Sequence, residues 1–112
     1  MQLQINTDSS LKVHDSESEQ LRRIIDGALG RFEDRITRVE LYLSDENALR
    51  GGQDDKRCLL EARLEGHDPI AASHLGATVI LAVEGAADKM ARAIESDIGR
   101  RRDLERKPRE SR

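Results

Sequence analysis

The chain has 112 residues, of which 37% are hydrophobic and 37% charged, and Phe32 and Tyr42 are its only aromatic residues. A domain of this length buries one modest core, which here must be aliphatic. No apolar run approaches the roughly 20 residues that span a bilayer, and the first residues lack the pattern of a signal peptide. The single Cys58 cannot form an internal disulfide, which fits a reducing compartment. We therefore expect a soluble, cytoplasmic protein with no membrane partner.

Charge is distributed unevenly along the chain. The formal net charge is −3, but residues 1–88 carry a net −7 and residues 89–112 a net +4. A polarised chain can hold a phosphate-rich partner at its basic end despite an acidic total. The distribution therefore keeps nucleic acid among the candidate partners.

The first half of the chain predicts a strand, a helix and a second strand. Polar and apolar residues alternate over residues 2–5, which is typical of a strand with one buried face. Ser16 and Glu19 have the spacing of a capping box, and apolar residues recur at helical spacing from there to Phe32. Residues 36–45 alternate again. Because a helix of this length joins the two strands, we expect them to pair in parallel through a right-handed crossover.

The second half predicts two more strands and a longer helix. A polar loop over residues 45–55 precedes strands over residues 56–65 and 70–73, with Cys58 on the inward face of the first. Residues 79–102 place their apolar side chains on one face of a helix. These are Val79, Val83, Ala87, Met90, Ile94 and Ile98.

The order of elements predicts an α+β fold, β-α-β-β-β-α, with both helices on one face of a four-stranded mixed sheet. We expect one domain over residues 1–102. Residues 103–112 are charged, contain Pro108 and lack apolar periodicity, which predicts a disordered tail.

The second helix carries cations opposite its apolar face. At about 100° per residue, Lys89, Arg92 and Arg100 gather on one stripe. Such a stripe is either a solvated helix face or a surface for a polyanion.

No pattern in the sequence indicates catalysis. The histidines fall in separate loops without metal-ligand spacing, and Cys58 is expected to be buried and inert. Phosphate-binding loops and nucleophile elbows are absent. We therefore expect a binding protein rather than an enzyme, with no metal, no cofactor and no small-molecule substrate.

Several short segments occur in an order known from one family. They are residues 2–5, residues 32–36 followed by 39–43, residues 72–73, and residues 84–92 with their Asp-Lys-Met-Ala-Arg run. In these segments, residues 1–102 resemble the short ribosome hibernation-promoting factors, also called ribosomal subunit-interface proteins.

The resemblance implies a fold similar to double-stranded-RNA-binding domains. It also implies binding to the small ribosomal subunit in the channel for messenger and transfer RNA, which blocks translation when growth stops. Basic residues on the outward helix faces would meet ribosomal RNA, and no DNA partner is expected. Carried over by position, these residues are Arg22, Arg23, Lys89, Arg92, Arg100, Arg101 and Arg102.

A second hypothesis is a protein-interaction module that keeps this fold and binds a protein or a second copy of itself. It rests on the net charge of residues 1–88 and on the acidic residues Glu95 and Asp97 beside the cationic stripe.

Overall fold

The computed structural model describes residues 1–46 and 55–106. The elements follow the order β-α-β-β-β-α, so the predicted α+β fold is confirmed. They are β1 (Gln2–Thr7), α1 (Asp15–Leu29), a 3₁₀ helix (Gly30–Phe32), β2 (Ile36–Asp45), β3 (Lys56–Leu64), β4 (Ile70–Gly76) and α2 (Val79–Arg106). Most of the loop predicted over residues 45–55 lies outside the described residues. Within them, no helix is long and apolar enough to cross a membrane.

The four strands form one mixed sheet in the order β1-β2-β3-β4. β1 and β2 pair in parallel, with Leu3 opposite Val39, because α1 carries the chain back to the starting end of the sheet. The pairing predicted for these strands is therefore confirmed. β2 with β3 and β3 with β4 pair antiparallel, which leaves β1 and β4 at the two edges.

One aliphatic core lies between the sheet and the helices. Alternate side chains of β2 and β3 are buried together with one side of each helix, so both helices cover the same face of the sheet. Each large aliphatic side chain buried in this way contributes about 1.5–3 kcal/mol. The core includes Leu21, Ile25, Leu29, Val39, Leu41, Leu43, Cys58, Leu60, Ala62, Leu64, Val83, Met90 and Ile94. The inward positions predicted for the central strands are confirmed.

The start of α1 differs from the prediction. The helix begins at Asp15, and the Glu17 carboxylate accepts a hydrogen bond from the backbone N–H of His14 at 3.3 Å. The predicted cap between Ser16 and Glu19 is therefore wrong, because Glu17 already satisfies an amide one half-turn earlier.

The last two elements are longer than predicted. β4 continues past Ser73 to Gly76, and α2 continues past Arg102 to Arg106, so residues 103–106 are helical rather than part of a tail. This extension rests on helix-forming residues rather than on burial, since Leu104 is 72% exposed. Residues 107–112 lie outside the described part of the chain.

The passage from β4 to α2 is close-packed. A Cβ added at Gly76 would lie 2.6 Å from the backbone nitrogen of Ala82, so only glycine fits there. The backbone of β4 at Gly76 thus lies directly against the first turn of α2.

Candidate nucleic-acid interface

All seven cationic side chains implied by the resemblance are exposed. They can remain in water because the apolar positions of both helices, such as Ile25 and Met90, supply the core. Exposure brings the seven within reach of an outside partner, but their immediate contacts differ.

Two of these cations extend from the helices to the edge strands of the sheet. The Arg22 guanidinium donates a hydrogen bond to the carbonyl oxygen of Leu3 in β1 at 3.3 Å. On the opposite edge, the Lys89 ammonium donates to the carbonyl oxygen of Ser73 in β4 at 3.0 Å. Both acceptors are uncharged, so Arg22 and Lys89 keep their full positive charge while their positions are fixed.

Two further cations form ion pairs along their own helices. Arg23 pairs with Glu19 at 3.8 Å, and Arg92 pairs with Asp88. The Arg92 side chain remains 72% exposed. Exposed pairs of this kind contribute at most about 1 kcal/mol, so a phosphate can displace the carboxylate.

Asp97 contacts two arginines and one histidine near the end of α2. Its carboxylate lies 3.2 Å from Arg100, 3.3 Å from Arg101 and 2.9 Å from Nδ1 of His67, in the turn between β3 and β4. The hydrogen bond with His67, followed by that with Arg101, lowers the pKa of Asp97 below its usual value. Only 17% of the Asp97 side chain is exposed, whereas Arg100 is 68% exposed. The acid is thus covered while its arginines face solvent.

The structure places two further arginines, Arg31 and Arg35, beside the end of α2. Two adjoining concavities share Arg35, Ile98 and Arg102, and we refer to them together as the basic cleft. The first is completed by Arg31, Phe32, Glu95 and Gly99, and the second by His67 and Arg101. Arg31 lies over the Phe32 ring, 4.6 Å from its centroid, and pairs with Glu95 at 3.4 Å.

Sequence periodicity did not reveal Arg31 or Arg35, because Arg31 lies in the short 3₁₀ helix after α1 and Arg35 in the turn before β2. The topology of the sheet could have indicated that these two arginines lie near the end of α2. In the β-α-β-β-β-α order, the end of α1, the turn from β3 to β4 and the end of α2 all meet at the same end of the sheet. Cations in those three segments therefore come together.

The described residues offer little for catalysis. Burial raises the pKa of the Cys58 thiol to about 12, so this group is not a nucleophile near neutral pH. No group of three or more His, Cys, Asp or Glu side chains within residues 1–46 and 55–106 could hold a metal ion. The surface is suited to binding.

No family model and no curated protein matches the sequence. Solved structures do match the fold. A ribosomal subunit interface protein from Coxiella burnetii superposes with a TM-score of 0.69 at 15% identity, over 88% of this chain and 99% of that one. The chain therefore shares the fold of that protein. The N-terminal domain of Thermus thermophilus Protein Y also gives a TM-score of 0.69, at 14% identity, over 86% of this chain and 98% of that one.

These neighbours confirm the fold that the sequence resemblance implied. Exposed arginines and lysines on such a surface can contact phosphates, and arginine can do so through two parallel hydrogen bonds. Phe32 is buried, Tyr42 is a single exposed ring on the face of the sheet opposite the core, and no tryptophan is present. Stacking of bases on an aromatic platform is therefore disfavoured. A nucleic acid that bound to this surface would therefore be recognised through its backbone and shape.

Proposed function

We propose that the protein is a cytoplasmic ribosome-binding factor that docks on ribosomal RNA of the small subunit and occludes the channel for messenger and transfer RNA. The observation that carries this proposal is the exposure of Lys89, Arg92 and Arg100 on the outer side of α2. The fold shared with a ribosomal subunit interface protein also supports this proposal.

Binding would depend on electrostatics and shape. Each phosphate neutralised by a lysine or arginine releases counterions, so affinity falls with salt concentration to about the 0.7–0.9 power per contact. Occlusion requires no chemical step. A domain seated in the channel excludes other ligands by volume alone, which agrees with the absence of a reactive site among the described residues.

The first test changes Lys89, Arg92 and Arg100 together to glutamate and follows co-sedimentation with purified small subunits. We expect the parent protein to sediment with the subunits and the triple variant to remain at the top of the gradient. The matched control changes Lys12, Arg38 and Arg63, which carry the same charge but lie away from α2. Thermal unfolding verifies that each variant is folded, and a glutamine version of both triples avoids new repulsion.

The α2 variant and the control variant distinguish a specific surface from a general effect of net charge. If the α2 variant sediments like the parent, the proposal is wrong. If the control loses binding to the same degree, net charge rather than this surface controls association. Occlusion itself predicts that the bound protein prevents a messenger RNA fragment from joining the small subunit, which a filter-binding competition measures.

A second function is favoured by the ion pairs. Arg23, Arg92, Arg100 and Arg101 all lie beside carboxylates, an arrangement that also suits a protein partner or a second copy of the chain. A stationary-phase lysate fractionated on a gradient distinguishes the two functions. Protein that migrates free or as a dimer, and never with ribosomal particles, favours the interaction module.

A further inference from the structure

We propose that the basic cleft is a binding site for a single phosphate group. The phosphate belongs either to the backbone of the docked RNA or to a small phosphorylated molecule. This inference deepens the proposed function and rests on it only for the first of these two sources. The site is separate from the cationic stripe of α2, since Lys89 and Arg92 do not line it.

The cleft has an excess of positive charge. Its lining contains four arginines and one carboxylate, that of Glu95. Among the described residues, Arg35 and Arg102 have no ion-pair partner, although they come from different segments and line the same two concavities. Two unpaired guanidinium groups that line one concave surface repel each other, and an anion bound there reduces that repulsion.

The cleft also has an apolar lining and open space beside Gly99. Phe32 is 8% exposed and, with Ile98, lines the cleft with apolar surface that strengthens nearby electrostatic interactions. Gly99 leaves space, because a Cβ added there meets no atom within 4 Å. The Phe32 ring holds Arg31 in place from below.

The chemistry of the lining favours phosphate over other anions. Arginine guanidinium groups form paired hydrogen bonds with phosphate oxygens, and several of them can share its charge. The cleft presents no exposed aromatic ring to hold a base. Glu95 competes with the ligand for Arg31, which it meets at 3.4 Å, so removing its charge should strengthen binding.

The experiment titrates inorganic phosphate into the ¹⁵N-labelled full chain and follows the arginine Nε and backbone amide signals. We expect saturable shifts confined to Arg35, Arg102 and Gly99. The pair Arg35→Gln with Arg102→Gln should weaken binding by at least about tenfold, as loss of two charge-assisted contacts implies. Glu95→Gln should strengthen it.

Two controls test the location of the site. Gly99→Leu fills the cleft without changing any charge and adds helix propensity, so it should abolish the shifts in a folded protein. Lys12→Gln with Arg63→Gln removes the same charge elsewhere and should leave them intact. Equal losses in this control, shifts that survive Gly99→Leu, or no saturable shift in the parent protein would each overturn the site.

Small subunits identify the source of the phosphate. If Gly99→Leu also weakens subunit binding, the phosphate belongs to the RNA backbone. If phosphate binds to the parent protein but subunit affinity is unchanged in Gly99→Leu, a small phosphorylated molecule is the ligand. Failure of the proposed function appears instead in the variant of the α2 stripe, which changes no residue that lines the cleft.

Discussion

His74 of β4 packs so closely on Gly85 of α2 that a Cβ at residue 85 would lie 2.0 Å from Cδ2 of the imidazole ring. His74 pairs in register with the buried Cys58, so its side chain extends toward the helices. A glycine in the second turn of α2 is thus explained by a contact, although glycine weakens a helix by about 1 kcal/mol relative to alanine.

The first prediction concerns this contact. Gly85→Ala should lower the free energy of unfolding despite its better helix propensity, because the His74 ring must leave its place. In a His74→Ala background, the same change should raise the free energy of unfolding by about 1 kcal/mol. Urea denaturation of the four proteins measures the coupling. Equal stabilisation in both backgrounds would show that the two residues do not interfere.

A second prediction follows from the lowered pKa of Asp97, caused first by its hydrogen bond with His67. The unfolded chain binds a proton more readily than the folded one, so this stabilisation is complete above the ordinary carboxyl pKa of about 3.9 and is lost as pH falls through the lower folded value. Asp97→Asn should be less stable than the parent at pH 7, with the difference shrinking at acid pH.

The measurement is the free energy of unfolding as a function of pH. Hydrogen bonds from Ser10 to Asp8 and from Tyr42 to Glu40 also lower the pKa of those carboxyls. Some acid sensitivity should therefore persist in Asp97→Asn. Identical pH profiles for parent and variant would contradict a role for Asp97.

The third prediction concerns the thiol. Because burial raises the pKa of Cys58 to about 12, the folded protein should not react with a disulfide reagent at pH 8. The thiol should react at once in denaturant, where it has an ordinary pKa. Rapid reaction of the native protein would mean that β3 opens readily or that Cys58 is accessible.

The fourth prediction concerns the partner of Arg92. Asp88→Asn should increase affinity for small subunits several-fold, because it releases the Arg92 guanidinium and removes a carboxylate that repels phosphate. Asp68→Asn, an exposed residue in the turn between β3 and β4, is the control for net charge. If both changes have the same effect, Arg92 is not a specific contact.

Local patterns predicted most of the fold. The bounds of β2 and the inward positions of β3 follow from simple alternation, since the side-chain period of a strand depends on neighbouring residues alone. The buried face of α2 follows equally from its helical spacing. The predicted end of α2 at Arg102 was wrong, because Arg, Leu and Glu residues continue a helix without being buried in a core.

The candidate binding surface was less predictable from the sequence than the fold. Helix periodicity placed Lys89, Arg92 and Arg100 on one outer side, but it could not show that Asp97 would bring Arg100 and Arg101 toward His67. That arrangement depends on how the turn between β3 and β4 meets α2. Arg31 and Arg35 became part of the cleft for the same reason, through the meeting of segments distant in sequence.

The hydrogen bonds of Arg22 and Lys89 with the edge strands have a consequence for self-association. An edge strand is a template on which another chain can add a strand and begin a fibre. An incoming strand at Leu3 or Ser73 would have to break this hydrogen bond or bury the cation, and burial of an unpaired charge is costly. The charges proposed to meet RNA thus also guard the sheet against aggregation, and Lys89→Ala should make the protein more prone to form amyloid-like fibres.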